Sequence, residues 1–496
     1  MVKYWLGFDI GSSSIKAALI QNEDGRVVDV VQQPEKEMPI MAPNPGWGEQ
    51  DPELWWKHLC TTVRELISKN GISKEDIKGI GISYQMHGLV VVDKSHKPIR
   101  PSIIWCDSRA VETGEELFNK AGKEKCVEHL LNSPGNFTLS KLKWVKDHEP
   151  EIFKKIHKFM LPGDYIALKL SGSCVTTPSG LSEGILWDFK TNEVATWLLK
   201  EAGIDPSLVS EIRPTFSEQG FVSKQGALES GLPEGIPILY RSGDQPNNAL
   251  SLNVMEPGQI AATGGTSGVV YALSDKETTQ EHTRINSFAH VNHTPKDPRI
   301  GKLLCINGTG IQYSWIRNEL TQGLSYHQMN QMAASIPIGA QGLSILPFGN
   351  GTERMLNNFG KGSRILNLRF NLHKAPHIFR AALEGIAFSF VYGMEILQND
   401  GVDITSIKAG NDNLFRAGIF SKTIASLTNS RIDIVETTGA VGAARAAAYA
   451  HGDFDSITEA TATDAVQLTY EPDANTENYQ EAYQNWKKEL KTYLEH

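Results

Sequence analysis

Residues 4–20, YWLGFDIGSSSIKAALI, decide how the rest of the chain is read. Apolar residues run up to Asp9, the small-residue stretch Gly11-Ser12-Ser13-Ser14 follows, and Ile15, Ala17 and Leu19 resume on one face beyond Lys16. This predicts strand, tight turn, strand. A turn stripped of bulk presents its backbone N–H groups and suits an anion. Asp9, at the strand end, could hold a magnesium ion through its oxygens or through waters. An ordinary hairpin with a Gly/Ser turn and a surface Asp fits the same residues. A second stretch, residues 259–273, QIAATGGTSGVVYAL, shifts the balance. Gly265-Thr266-Ser267 sits in its hairpin much as Gly11-Ser12-Ser13 sits in the first. Two phosphate-sized turns, one near the start of each half, suggest a duplicated architecture with a nucleotide between the halves.

A chain of 496 residues is too long for one ordinary core, so two or three domains are expected. With 40% hydrophobic and 21% charged residues it falls among globular proteins. A net charge of −9 argues against general affinity for nucleic acid or an anionic membrane. Cys60, Cys106, Cys126, Cys174 and Cys305 are scattered, with no CxxC pair, which points to isolated reduced thiols rather than a disulfide framework or a zinc site. No run approaches the roughly 20 apolar residues of a membrane span, and the N-terminus lacks the pattern of a signal peptide. The expected location is cytoplasmic.

Strands and helices alternate along the chain, which predicts α/β architecture with a mixed sheet. Asp51 as N-cap and Pro52 in the first helical position open a helix through Ser68. Residues 77–83 form a strand leading into Gln85-Met86-His87, residues 102–105 another ending in Cys106-Asp107-Ser108-Arg109, and residues 236–240 a third delivering Gly243-Asp244-Gln245. A helix is expected over 247–253, and the boundary between halves near 251–257. The resulting division is residues 1–253 and 254–496, the second ending in an acidic helical tail from about 453. In the second half, helices are expected over 378–397, 415–428 and 438–451, with a strand then a turn over 407–413 and a strand at 432–435.

Phosphoryl transfer requires a phosphate cradle, a divalent ion and a group near the acceptor hydroxyl. Neither a Walker A sequence nor a kinase HRD loop is present. Asp244 is the leading acceptor-side carboxylate, because it follows an apolar strand and Gly243 gives it access; the same residue could simply cap the next helix. Asp107 is the second candidate, although Asp107-Ser108-Arg109 also reads as a helix start with a surface Arg. Gln85, Met86 and His87 offer two hydrogen-bonding side chains and one adaptable apolar one, a mix that suits a polyol. A lone His is also often a satisfied structural residue. Trp105 could stack on a sugar face, though with 10 tryptophans most belong to the core.

Over nearly its whole length the chain resembles the FGGY family of carbohydrate kinases. The resemblance rests on Asp9-Ile10-Gly11-Ser12-Ser13-Ser14 with Lys16-Ala17, Trp105 to Arg109, Thr138 to Trp144, Gly243-Asp244-Gln245, Gly264 to Ser267, Arg380 to Gly385, and Glu436 with Gly439 to Ala444. Gln85-Met86-His87-Gly88 is most similar to the xylulokinase branch. The resemblance implies two actin-like (ribonuclease H-like) ATPase domains, with ATP and sugar in the cleft between them. It further implies Asp244 as base for the 5-hydroxyl of D-xylulose, Met86 and His87 lining the sugar site, and Asp9 on the Mg2+ and phosphate side. Gly265, Thr266 and Ser267 would face the phosphates, with Gly11, Ser12, Ser13 and Lys16 of the first motif on the cofactor side, while Gly410 and Asn413 would lie by the nucleoside. The implied partners are the sugar and ATP, with a homodimer as the candidate assembly. A sister kinase acting on ribulose or fuculose, a non-catalytic sugar-sensing module and a chaperone-like ATPase are the alternatives. Three positions depart from the family pattern: Ala409 and Asn367 stand where it has Gly, and Asn136 opens its first signature atypically.

Overall fold

The computed structural model describes residues 2–495 apart from 322, 412, 463–465 and 475, and does not describe the side chain of residue 413. Strands Tyr4–Ile10 and Ile15–Gln21 pair antiparallel with Asp9 opposite Lys16, and Val27–Gln33 continues the meander. On the other side of the first strand lie Ile77–Tyr84 and then Ile238–Gly243, both parallel to it. The order across the sheet is therefore fifth, fourth, first, second, third. The second half repeats it. Gln259–Gly264, Gly268–Ser274 and Ile300–Ile306 form the meander, Ser406–Gly410 and Ile432–Val435 add the parallel pair, and Asn286–Ala289 and Val466–Tyr470 extend the edges. The duplication suggested by two short turns thus extends through both sheets.

Local chemistry accounts for the elements. Asp51 accepts a hydrogen bond from the Glu53 amide at 3.0 Å, Pro52 fills the first turn, and Gly71 closes the helix Pro52–Asn70 in a left-handed conformation with φ 59°. Ile77–Tyr84 is buried almost throughout, as expected of a strand covered on both faces. The strand expected at 236–240 runs instead Ile238–Gly243, and the next helix is Asp244–Ser251 rather than 247–253. Pro246 does not delay it, because N–H groups in a first turn have no intrahelical acceptor to lose. The helix expected over 415–428 is divided into a short 3-10 turn, Asn413–Arg416, and Gly418–Thr428.

The halves are joined by the helices that follow their fifth strands. Helix Gly439–His451, from the second half, lies on the first half's sheet, so that a Cβ on Gly7 would stand 1.9 Å from the Ala440 carbonyl oxygen and one on Gly81 1.9 Å from that of Ala443. Ala249 of Asp244–Ser251 in turn belongs to one buried cluster with Ala261, Tyr271 and Leu273 of the second sheet. The two helices meet where Asn247 Nδ2 donates to the Gly439 carbonyl at 2.9 Å. This exchange brings both meander turns and the end of Ile238–Gly243 to one cleft. Among the described residues, no helix is long and apolar enough to cross a membrane.

Candidate active site

The two turns are held from behind. In the first, the Gly11 amide donates to the Ser14 carbonyl at 3.0 Å, and Gln50 Nε2 donates to the Ser12 carbonyl at 2.6 Å. In the second, the Gly265 and Thr266 carbonyls accept from the Gly310 and Ile311 amides at 3.1 Å each, and from the Thr309 hydroxyl. Gly310 permits this approach, since a Cβ there would lie 2.2 Å from the Gly265 oxygen. Thr266 and Ser267 consequently face outward. Gly265 and Thr266 form one end of a cavity of about 550 Å³ whose walls include Tyr313, Tyr326, Asn330 and Arg416. Tyr313 and Tyr326 stack at 5.7 Å, and Arg416 is fixed by the Asn411 carbonyl at 2.7 Å. A mixed polar and aromatic cavity ending in an amide-rich turn has the chemistry to take a nucleoside and its phosphates. Gly410 ends its strand beside Asn411, and the side chain of Asn413 lies outside the described residues.

Asp9 and Asp244 share the cleft. Ser83 donates its hydroxyl to Asp9 Oδ1 at 3.0 Å, and the other oxygen faces Gly439, where an added Cβ would stand 3.0 Å away. One open carboxylate oxygen beside a residue without a side chain suits magnesium, which prefers a few protein oxygens plus waters and phosphate. Lys16 is Asp9's cross-strand partner and shares its face of the sheet. Asp244 occupies the first position of its helix, with Gly243 as the N-cap. Burial, and secondly the charge of Asp9, push its carboxyl up to about 7. That value is close to ideal for a base working near neutral pH.

The remaining candidates divide into those that face the cleft and those that support it. His87 adopts a left-handed backbone, φ 60°, and its Nδ1 donates to the Glu183 carbonyl at 3.0 Å. Nε2 is thereby left as an acceptor. Burial, and secondly the charge of Lys141, press the imidazole down to about 3, so the ring is neutral. Phe137 and Phe288 pack on it with centroids at 4.7 and 5.2 Å. Met86 is buried against Gly243, where a Cβ would approach its Cγ to 2.6 Å. Trp105 is 54% exposed and its Nε1 donates to the Ser12 hydroxyl at 3.3 Å, which sets the indole beside the first turn. Gln85 is turned inward, toward Gln50 Oε1 at 3.4 Å.

Asp107 is fully buried, with its carboxylate oxygens engaged by the Gly48 amide at 2.7 Å and by Arg109 Nη2 at 2.7 Å. Arg109 is not the surface residue its sequence context suggested. It also bonds Glu49 at 2.7 Å and stacks 3.6 Å over Trp47. An aromatic face and two buried carboxylates can hold a guanidinium inside.

Several residues of the site carried no local sequence signal for their roles. Lys141 is entirely buried and donates to the His87 carbonyl at 2.8 Å and the Ile104 carbonyl at 3.0 Å, tying together the segments that present His87 and Trp105. Burial brings its ammonium down to about 7, against an opposing pull from Asp107. Lys141→Met should strand two buried carbonyls, lower stability by about 1–3 kcal/mol and raise the KM for the sugar. Thermal unfolding and steady-state kinetics on the purified variant check both, and an unchanged Tm would contradict the bracing role. Thr309 and Phe288 were likewise unforeseen, since their contacts cross between distant segments.

A cleft with a phosphate turn from each half, a nucleoside-sized cavity on one side and a near-neutral carboxylate on the other defines a two-domain kinase of small molecules. The FGGY family of carbohydrate kinases matches over residues 4–251 through its N-terminal domain and over 260–451 through its C-terminal domain. The chain belongs to this family and is an ATP-dependent carbohydrate kinase. It is 29% identical over 472 residues to the xylulose kinase of Bacillus subtilis (strain 168), covering 92% of this chain and 90% of that protein. To the xylulose kinase of Escherichia coli (strain K12) it is 27% identical over 478 residues, covering 95% of each. Among solved structures, the xylulose kinase from Rhodospirillum rubrum superposes with a TM-score of 0.89 at 26% identity over 100% of both chains. Plasmodium falciparum glycerol kinase with ADP shares the fold, with a TM-score of 0.88 at 20% identity, covering 99% of this chain and 98% of that one.

The departures from the family pattern have local explanations. Asn367 has φ 62°, the left-handed region where Gly is favoured and Asn is among the best-tolerated alternatives. Asn136 uses its side-chain amide to hold the Asp107 carbonyl. Ala409 is fully buried between Ala262 and Ile434 of the neighbouring strands.

Proposed function

We propose that the protein phosphorylates D-xylulose at O5 with ATP, giving D-xylulose 5-phosphate and ADP. The observation that carries this reading is Asp244: a carboxylate at the cleft end of Ile238–Gly243, beside Asp9, with its carboxyl raised to about 7. The named activity of the relatives supports the choice of sugar.

In this reading the ketose lies between Trp105, Met86 and His87, with His87 Nε2 accepting from a hydroxyl and Asp244 receiving the proton of O5. As O5 bonds to the γ-phosphorus, the bond to the β–γ bridging oxygen breaks and ADP leaves. The amides of Gly265, Thr266 and Ser267, and those of Gly11, Ser12 and Ser13, stabilise the charge on the phosphates, with Lys16 alongside. Mg2+ bound through Asp9 would supply further neutralisation of the triphosphate. Approach of the two halves would exclude water from the transfer.

ADP release with a panel of D-xylulose, ribulose and fuculose tests the substrate. A clear preference for either of the other ketoses would replace D-xylulose in the proposal. His87→Ala should raise the D-xylulose KM about tenfold or more, the size of one lost hydrogen bond at a buried site, and leave the KM for ATP within about twofold. Equal changes in both would remove His87 from the sugar site.

A further inference from the structure

The two faces of the turn Gly265-Thr266-Ser267 are used differently. Behind it, the Gly265 and Thr266 carbonyls are engaged by residues 309–311, whereas among the described residues the amides of Gly265, Thr266 and Ser267 have no acceptor. Whatever fixes the segment behind therefore decides where those amides point. Residues 307–309 link strand Ile300–Ile306 to helix Gly310–Leu320 and form no regular structure of their own. A loop of the same half, residues 347–359, clasps them from the far side. Glu353 is fully buried, and its oxygens accept separately, Oε2 from the Asn307 amide at 2.9 Å and Oε1 from the Gly308 amide at 2.8 Å. Asn307 Nδ2 donates to the Thr352 carbonyl at 2.7 Å, and Asn350 Nδ2 to the Asn307 carbonyl at 3.2 Å. Gly308 lies so close to the loop that a Cβ would stand 1.9 Å from the Pro347 carbonyl oxygen. The Glu353 amide donates to the Phe359 carbonyl at 3.0 Å, which closes the loop on itself. Among the described residues the Asn307 and Gly308 amides are the only partners of the carboxylate. A buried carboxylate without a cation is a costly way to fill space, and an apolar side chain would do so at less cost.

We propose that Glu353 is a positioning residue for phosphoryl transfer: by fixing residues 307–309 it sets the second phosphate turn and orients the amides of Gly265, Thr266 and Ser267 toward the phosphates of ATP. This rests on the reading of that turn as the phosphate cradle. The contacts run without a gap from the carboxylate to the Asn307 and Gly308 amides, and from the Thr309 hydroxyl and Gly310 amide to the Gly265 carbonyl. Amides held in place before the substrate arrives need no rearrangement as charge develops on the transferring group. A cradle released from its brace would have to be ordered by the nucleotide itself, at the expense of affinity.

The test is equilibrium calorimetry on the full chain with Mg2+ present, titrating β,γ-imido-ATP and, separately, AMP. In Glu353→Gln the carboxamide keeps one acceptor and turns a donor toward the second amide. Loss of a charge-assisted bond at a buried site should weaken the triphosphate about 10- to 100-fold and leave AMP within about twofold. Glu353→Asp, which keeps the charge but shortens the reach, should show the same selective loss, and it decides the matter if the Gln variant does not fold. Thr309→Val cuts the next link and should also weaken the triphosphate selectively. Combined with a Glu353 variant it should add little, because both act through one chain of contacts. In steady-state assays the sugar KM should stay within about twofold of wild type. A triphosphate affinity within about twofold of wild type, equal losses for triphosphate and AMP, additive losses in the double variant, or a parallel rise in the sugar KM overturns the role of Glu353. Wild-type protein that binds AMP as tightly as the triphosphate overturns the phosphate-cradle reading, and the role of Glu353 with it. Neither titration contains sugar, so both outcomes are independent of which ketose is the substrate.

Discussion

Asn in place of Asp244 should reduce kcat by about 10²- to 10⁴-fold, the usual contribution of a positioned general base, with ATP affinity and fold retained. The same carboxylate should govern the pH profile. Its folded value is about 7, and a base must be deprotonated to act. Sugar kcat/KM should therefore be half-maximal near pH 7 and fall about tenfold per unit below it. The linkage to stability has the opposite sense from that of an ordinary surface carboxylate. Because the folded state holds this proton more tightly than the unfolded chain, Asp244 contributes stability that is lost as pH rises from about 4 to about 7. Asp244→Asn removes that penalty and should raise Tm at pH 8 even as kcat falls. A variant with near-normal rate, or an acid limb far from neutrality, would displace Asp244 from the base position.

The part of this arrangement that could be read in the sequence is the part written in local patterns. Both hairpins, with their small-residue turns, follow from alternation broken by Gly and Ser, and Asp51-Pro52 places a helix start to the residue. The position of Asp244 at a strand end was equally legible, because strand C-termini are where α/β sheets gather ligand groups. What was not legible depends on contacts between distant segments. Asp107 and Arg109 looked like a candidate carboxylate and a surface cation, and only the approach of Gly48, Glu49 and Trp47 from some sixty positions upstream, as in the Gly48–Asp107 pair, converts them into a buried brace. Gln85 lies beside His87 in the chain, yet its amide is directed toward Gln50 behind the first turn. Lys141 carries no pattern that distinguishes a buried ammonium from a solvated one. Phe288 reaches His87 from the other half of the molecule, and no periodicity in its segment encodes that meeting.

Gly81→Val should unfold the protein or separate its halves. Gly7 and Gly81 are paired across adjacent parallel strands, and helix Gly439–His451 runs over both. A Cβ on Gly81 would lie 1.9 Å from the Ala443 carbonyl oxygen and 2.6 Å from its carbon. These are backbone atoms of a buried helix, so no rotamer change can relieve the clash and the helix must lift away from the sheet. On its far side the helix is stopped by Asp244–Ser251, where a Cβ on Gly442 would meet the Ser251 hydroxyl oxygen at 1.8 Å. Overpacking in a core that can adjust costs about 1–3 kcal/mol, and a core clamped on both sides should exceed that range. Movement of Gly439 would also disturb Asp9, and movement of Asn247 would disturb the helix that begins at Asp244. Activity should therefore fall with stability even for the smaller Gly81→Ala. Gly418→Ala provides the contrast: it opens Gly418–Thr428 with its nearest foreign atom 3.8 Å from the added carbon. That variant should keep wild-type kinetics and gain a few tenths to about 1 kcal/mol from lower chain entropy in the unfolded state. Thermal unfolding of the two alanine variants side by side measures the difference, and equal Tm values would mean that the sheet and helix are not in the close contact on which the cleft's geometry rests.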